Sequence, residues 1–158
     1  MEPDGSITEA TEAQIERVWK ERWGLPVITA WRAYEPADVR GFCLLSAAGE
    51  IRGLVTWSRG DERAEIVTLD AMVSGRGYGS LLLRGAEDRI RGAGLCRVSL
   101  VTTNDNLRAL RFYLHRGYRL IHVHLGGMDR IRAKKPSVPE VGADGIALLD
   151  LWELQKVL

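Results

Sequence analysis

The stretch "SGRGYGS", Ser74–Ser80, sets the strongest limit on what this chain can fold into. Gly75, Gly77 and Gly79 stand between a strand-like run and an apolar helical pattern. What precedes them is "GFCLLSAAGEIRGLVTWSRGDERAEIVTLDAM", which reads as three strands with turns at Ala48–Gly49 and Gly60–Asp61. That is an antiparallel meander. It argues against a doubly wound α/β fold, where a glycine turn of this kind follows the first strand of a βαβ unit.

The segments on either side complete the pattern. Thr11 and Gln14 can form a capping box, and Ile15, Val18, Trp19 and Trp23 then fall on one helical face. Gly24 and Pro26 stop that helix, and Val27–Trp31 reads as a short strand. After the glycines, Leu81, Leu82, Leu83, Ala86 and Ile90 make an amphipathic helix closed by Gly92 and Gly94. A strand over Cys96–Thr103 follows, then a helix with Leu107, Leu110, Phe112 and Leu114 that stops at Gly117. Tyr118–His124 reads as another strand, and 125–145 as a polar loop containing proline and glycine. "IALLDLWELQKV" supplies the last strand. The order is helix, meander, then β-α-β-α-β-loop-β, an α+β domain with a mixed sheet.

The 158 residues suffice for one domain, 1–158, with a sizeable core. A net charge of +1 argues against a nucleic-acid or membrane-surface partner. No apolar run approaches the ~20 residues of a membrane span. The acidic, polar start "MEPDGSITEATEAQ" is unlike a signal peptide, so a cytoplasmic protein is expected. Cys43 and Cys96 have no metal-ligand or redox spacing and read as buried, reduced core residues; no metal is expected.

A glycine-rich turn opening a helix is an anion site by geometry. Its N–H groups converge, and the helix dipole adds about half a positive charge. No Lys-Ser or Lys-Thr follows the glycines, which removes the P-loop reading. Gly75-x-Gly77-x-x-Ser80 nearly fits the dinucleotide fingerprint, but the acidic ribose partner about 20 residues on is replaced by Arg97 and Ser99.

"SGRGYG" together with "NLRALRFYLHRGY" resembles the Gcn5-related N-acetyltransferase (GNAT) superfamily. Its acyl-CoA motif is Gln/Arg-x-x-Gly-x-Gly/Ala, and its companion is Asn-x-x-Ala-x-x-hydrophobic-Tyr-x-x-x-Gly-Phe/Tyr. Gly77 and Gly79 match the first; Asn106, Ala109, Phe112, Tyr113, Gly117 and Tyr118 match the second in register. Ser74 departs from the Gln or Arg of the loop motif; this removes a long polar side chain but leaves the backbone donors. The resemblance covers essentially the whole chain. "VTTNDN" also resembles a subgroup of small bacterial members. The implied fold is a central mixed, mostly antiparallel twisted sheet flanked by helices, an α/β/α sandwich.

The resemblance implies acetyl-CoA as co-substrate and an amine as acceptor. Its pyrophosphate would sit on the N–H groups of Gly75, Arg76, Gly77, Tyr78, Gly79 and Ser80. Its pantetheine would pair with the strand backbone at Leu69, Asp70 and Ala71, and with Asn106, which can equally serve as a helix N-cap. A strand N–H near Leu69–Ala71 would polarise the thioester carbonyl. Tyr113 stands at the family's general-acid position. Glu65, in "AEIVT", resembles the base of the histone-acetyltransferase branch. By strand alternation Glu65 shares a face with Val67 and Leu69, opposite Ile66, Thr68 and Asp70. Asp70 is the second candidate base, and His122 or His124, on one face of their strand, could relay a proton. Trp31, Tyr34 and Trp57 could line an aromatic acceptor pocket. Arg130, Arg132, Lys134 and Lys135 make the long loop basic, suited to an anionic acceptor or to a homodimer contact. The alternative function is a silent acyl-CoA-binding module.

Overall fold

In a computed structural model, described for residues 5–158, the chain divides into two compact units. The first takes in the described residues up to Val27 with Ala33–Val98 and Leu158; the second is Ile28–Arg32 with Ser99–Val157.

The first unit opens with β1 (Ser6–Glu9), four mostly exposed residues that sequence pattern did not mark as a strand. Main-chain pairing with β4 (Arg40–Leu45) makes it one. Helix α1 (Glu12–Arg22) begins at the expected box: Gln14 N donates to Thr11 Oγ1 at 3.2 Å, and Thr11 N to Gln14 Oε1 at 2.9 Å. Ile15, Val18 and Trp19 are buried, while Trp23 is 43 % exposed. Gly24, with φ +72°, donates its N–H to Trp19 O and turns the chain away. The expected strand from Val27 is reduced to β2 (Val27–Ile28), because Thr29 N bonds Arg32 O at 2.9 Å and closes a tight turn. β3 (Ala33–Tyr34) follows.

The meander is as expected: β4, β5 (Ile51–Arg59) and β6 (Ala64–Ala71) are antiparallel neighbours, with β1 outside β4. One face carries a core of Ile15, Val18, Trp19, Val27, Tyr34, Cys43, Leu54 and Val67. Burial pushes the Cys43 thiol up to about 11, so it stays a neutral core group. On the other face lies α2 (Tyr78–Gly92), with Leu82, Leu83, Ala86 and Ile90 buried. A Cβ on Gly53 would lie 2.6 Å from Leu82 Cδ1 and 3.0 Å from Asp70 O, so the bare backbone there lets α2 press on β5. Cys96, expected in the core, is exposed. It lies between the Gly94 turn (φ +87°) and the first residue of the next strand, outside the pleat that would bury it.

The second unit contains β7 (Arg97–Thr103, its first two residues in the first unit), α3 (Leu107–Leu114), β8 (Arg119–His124), α4 (Gly127–Lys134) and β9 (Leu151–Val157). Strand β9 lies between β7 and β8. It begins at Leu151 rather than Ile146, since 146–150 is tied down by side chains instead of a ladder. Leu107 and Leu114 at the ends of α3 are 49 % and 48 % exposed. The segment 125–145, expected as loop, holds α4. Met128 and Ile131, three apart, are buried with Leu148 and Leu151 and draw that stretch into a helix. Gly126 before it and Gly127 at its first position conceal the pattern; a Cβ on Gly127 would stand 3.1 Å from the Leu151 side chain, so the bare backbone lets the helix start close to β9.

Candidate functional site

Strand β6 carries three buried polar side chains, Glu65, Thr68 and Asp70. Simple alternation places Glu65 opposite the other two. The structure corrects this: Glu65 pairs with Ser58 and Ile66 with Trp57, but Thr68 pairs with Thr56, so Val67 is an extra residue in a β-bulge. Paired residues share a face, and Ser58, Thr56 and Leu54 alternate along β5. Glu65, Thr68 and Asp70 therefore stand in one column on the α1 side, and Leu69 faces away with Val55.

Each member of the column takes a hydrogen bond from an aromatic side chain. Tyr34 Oη donates to Glu65 Oε1 at 2.5 Å. Trp19 Nε1 donates to Thr68 Oγ1 at 3.0 Å, and that hydroxyl lies 2.7 Å from Thr56 Oγ1. Trp23 Nε1 donates to Asp70 Oδ2 at 2.9 Å, beside Arg22 Nε on Oδ1 at 3.1 Å. Burial raises Asp70 above its ordinary value; the Trp23 bond and the Arg22 charge oppose that. Asp70 thus anchors the end of α1 to β6 by its side chain, leaving its backbone for any other task. No sequence signal marks the indoles of Trp19 and Trp23 as polar partners, because their acceptors, Thr68 and Asp70, lie 49 and 47 residues away on a strand whose facing is set by a bulge.

At the end of β6 the chain passes into the glycine loop. Gly75 and Gly77 are left-handed, with φ +76° and +73°, and nothing lies within 4 Å of where a Cβ would stand. The glycines are there for backbone conformation and openness, not for tight packing. Ser74, Gly75, Arg76 and Gly77 are exposed, whereas the Tyr78 side chain is 5 % exposed. Gly77 caps α2 without a side-chain bond, so the first-turn N–H groups of Tyr78 and Gly79 have no intrahelical acceptor. An exposed αL-glycine cradle at the start of a 15-residue helix fits a pyrophosphate.

In the second unit, Asn106 caps α3, accepting from Ala109 N at 3.0 Å. Tyr113 is 8 % exposed, its ring in edge contact with Phe112 (5.1 Å) and Tyr118 (5.3 Å). The rest of "VTTNDN" is structural. Asn104 donates to Ala147 O and accepts from the N–H groups of Leu149 and Asp150; Asp105 accepts from Thr103 Oγ1 and from Ala143 N. The basic stretch is also largely committed: Arg132 donates to Pro139 O, Leu148 O and Asp129, and Arg130 to Leu125 O. His122 and His124 do share a face of β8, since they pair with Glu153 and Leu151. Tyr34 and Trp57 do not line one pocket: Tyr34 packs with the α1-side core, while Trp57 lies 5.1 Å from Phe42 on the opposite face. Among the described residues no group of three His, Cys, Asp or Glu side chains is placed to hold a metal, and no helix is long and apolar enough to cross a membrane.

A bulged strand leading into an αL-glycine helix start, followed by a strand and an Asn-capped helix, is the order of elements expected from the resemblance to the acetyltransferases. The chain belongs to the acetyltransferase (GNAT) family, whose model matches residues 7–118. It is 32 % identical over 151 residues to YdhI of Bacillus subtilis (strain 168), an uncharacterized protein, covering 95 % of this chain and 94 % of that one. Among solved structures it is similar to an IAA acetyltransferase from Bacillus cereus, with a TM-score of 0.77 at 16 % identity, over 97 % of this chain and 99 % of that one. It is also similar to a GNAT family acetyltransferase from Elizabethkingia anophelis with acetyl-CoA bound, with a TM-score of 0.74 at 16 % identity, over 98 % and 99 %. These likenesses show the GNAT acyl-CoA N-acyltransferase fold, a mixed sheet flanked by helices.

Proposed function

We propose that the protein, acting as one N-acetyltransferase domain, moves the acetyl group of acetyl-CoA to the primary amine of a small molecule, by direct transfer in a ternary complex. The observation that carries this reading is the pair of left-handed glycines, Gly75 and Gly77, with open space around both and α2 starting immediately after. Charge-assisted N–H bonds to a phosphate oxygen are worth about 1.5–3 kcal/mol each. The backbone from Gly75 to Ser80 would hold the pyrophosphate. Leu69, Asp70 and Ala71 would pair with the pantetheine and polarise the thioester carbonyl, and Asn106 would add a side-chain bond from its cap position. Bound acetyl-CoA supplies an activated acetyl thioester.

The chain's own residues then handle protons. Glu65, buried and oriented by Tyr34, takes the proton of the attacking nitrogen, directly or through water. Tyr113, buried by its aromatic neighbours, delivers a proton to the leaving thiolate. The test is release of free thiol from acetyl-CoA across a panel of amines. Release that depends on an added amine supports the reading. Protection against heat by acetyl-CoA without turnover on any amine would instead make this a binding module.

A further inference from the structure

The sheet has two edges, β1 and β8. β1 offers little to another chain: it has four residues and ends in Glu9, which is bonded to Arg89. β8, in the second unit, has six residues, and its first four are exposed. Among the described residues no strand lies outside it, so its outer N–H and C=O groups have no ladder partner. Leu120 and Ile121 on this strand are 45 % and 48 % exposed, and Leu125 just past its end is 75 % exposed.

The charge around this edge has one sign. From Asn106 to Met128 the chain carries four arginines and all three of its histidines, but no Asp or Glu. That stretch has a formal charge of +4 against +1 for the whole chain, so everything else sums to −3. Arg108 and Arg111 are exposed on α3, which lies against β8, and Arg119 and His122 are exposed on β8 itself. Arg111 and Arg119 enter no ion pair among the described residues. The nearest acids are engaged elsewhere. Glu153, the one acid of β9, is buried with its Oε1 2.8 Å from His124 Nε2. Asp105 accepts from Thr103 Oγ1 and Ala143 N, and Asp129 pairs with Arg132.

We propose that the outer edge of β8 takes up an extended acidic segment of another protein as an added strand. Such a segment answers the open backbone groups with its own, while its acidic side chains meet Arg119 and the α3 arginines and its apolar ones cover Leu120 and Ile121. Six residues of strand span about 20 Å, so about six residues of partner suffice. A second copy of this chain fits poorly. Antiparallel pairing of β8 with itself sets one +4 stretch against another, with no acid on either side. Ile121 has no opposite residue on β9, the mark of a bulge, and a bulge with a nearby charge is what guards an edge against self-pairing. A partner of opposite charge removes the second obstacle. An anionic lipid surface would meet the arginines and leucines but leave the ladder groups of the edge without partners. The proposal concerns binding and does not depend on the transfer reading.

The probe is the end-capped peptide Glu-Val-Asp-Val-Glu-Val, titrated into the full chain and followed by amide NMR and by anisotropy of a labelled copy. Saturable binding is expected, with amide shifts centred on 119–124 and an affinity that falls as salt is added. Arg119→Glu should bind the peptide about 5-fold more weakly. A peptide with its second valine replaced by proline keeps the charge but loses a ladder N–H, and it should not bind. Nor should a version with lysine at the acidic positions. The salt, proline and lysine comparisons use the wild-type protein, so they decide the matter even if Arg119→Glu folds poorly. No binding of the acidic peptide, equal binding of the proline or lysine version, shifts centred elsewhere, or full affinity in folded Arg119→Glu would each overturn the proposal. A dimer in sedimentation whose formation protects the β8 amides from exchange would give the edge to a second copy. Binding to phosphatidylserine vesicles without binding to the peptide would give it to a lipid surface. Either result also overturns the proposal, and none of these outcomes bears on acetyl transfer.

Discussion

Tyr34 and Glu65, thirty-one residues apart in sequence, meet in the first unit, where the phenol donates to Glu65 Oε1 at 2.5 Å. Both side chains are buried, at 4 % and 7 % exposure. The bond therefore acts in a medium where an unmet carboxylate is costly. Tyr34→Phe should lower stability by about 1.5–3 kcal/mol, the worth of a hydrogen bond to a charged group, read as a shift of the urea midpoint. Glu65→Gln keeps an oxygen to accept from Tyr34, so its stability should stay close to wild type. Its turnover should nevertheless fall about 10²–10⁴-fold, as for a lost general base. Wild-type turnover in Glu65→Gln would remove Glu65 from the chemistry and leave it a structural acid.

Asp70 makes a prediction with a definite sign. Burial holds its carboxyl above the ordinary 3.8, outweighing the Trp23 bond and the Arg22 charge. The folded protein therefore binds that proton more tightly than the unfolded chain does. The stability this contributes is whole below pH 3.8 and is lost as pH rises through the higher folded value. Asp70→Asn keeps an acceptor for Trp23 and does not titrate. Its stability relative to wild type should improve steadily as pH climbs from below 3.8 toward neutrality. Urea midpoints of the two proteins over that range give the answer; a variant that loses ground as pH rises would contradict it.

What was legible in the sequence was local chemistry. The Thr11/Gln14 box, the turns at Ala48–Gly49 and Gly60–Asp61 and the stop at Gly117 depend on residues within a few positions of each other, and all are present. The glycine loop was legible for the same reason: φ > 0 leaves a compositional mark. The bulge at Val67 left none, because an extra residue in a strand is forced by its partner and not by its own side chain. That one residue reversed the face of Thr68 and Asp70 relative to Glu65. Helix α4 was hidden for a related reason, since only two of its side chains, Met128 and Ile131, define its buried stripe. The Glu153–His124 pair depends on β8–β9 register, which no spacing rule supplies.

The glycine loop separates folding from binding. Alanine at Gly75 or Gly77 meets nothing within 4 Å, so the cost is conformational alone, about 1–2 kcal/mol for a left-handed residue. The reading of the loop as a pyrophosphate cradle predicts a further loss: the rise in melting temperature produced by acetyl-CoA should shrink well beyond what destabilisation explains. Gly92→Ala is the control, since its φ is not positive and its surroundings are equally open. It should be neutral or slightly stabilising and keep the full ligand-induced shift. Equal shifts in all three variants would empty the cradle of its role.

Asn106 has a cap function in hand and a cofactor function proposed. Asn106→Asp retains an oxygen for Ala109 N but lacks the amide N–H, while Asn106→Ala loses both and should cost about 1 kcal/mol. If the amide reaches the pantetheine, Asn106→Asp should bind acetyl-CoA about 10-fold more weakly at unchanged stability. Titration calorimetry decides it, and wild-type affinity in Asn106→Asp would leave Asn106 a cap only.

Tyr113→Phe isolates one atom. The ring contacts with Phe112 and Tyr118 do not need the hydroxyl, so α3 and its aromatic neighbours should be undisturbed and acetyl-CoA affinity preserved. In the proposed mechanism what is lost is the proton for the departing thiolate, an effect of about 10²–10⁴-fold for a positioned acid. Because product release can limit kcat, the loss belongs in single-turnover acetyl transfer, with enzyme in excess over acetyl-CoA. There the rate should fall at least 100-fold at neutral pH. An acyl donor whose leaving thiol is markedly more acidic than that of coenzyme A needs less help, so the defect should narrow with it. A defect of the same size for both donors would mean that the hydroxyl serves to place the cofactor and not to protonate its sulfur.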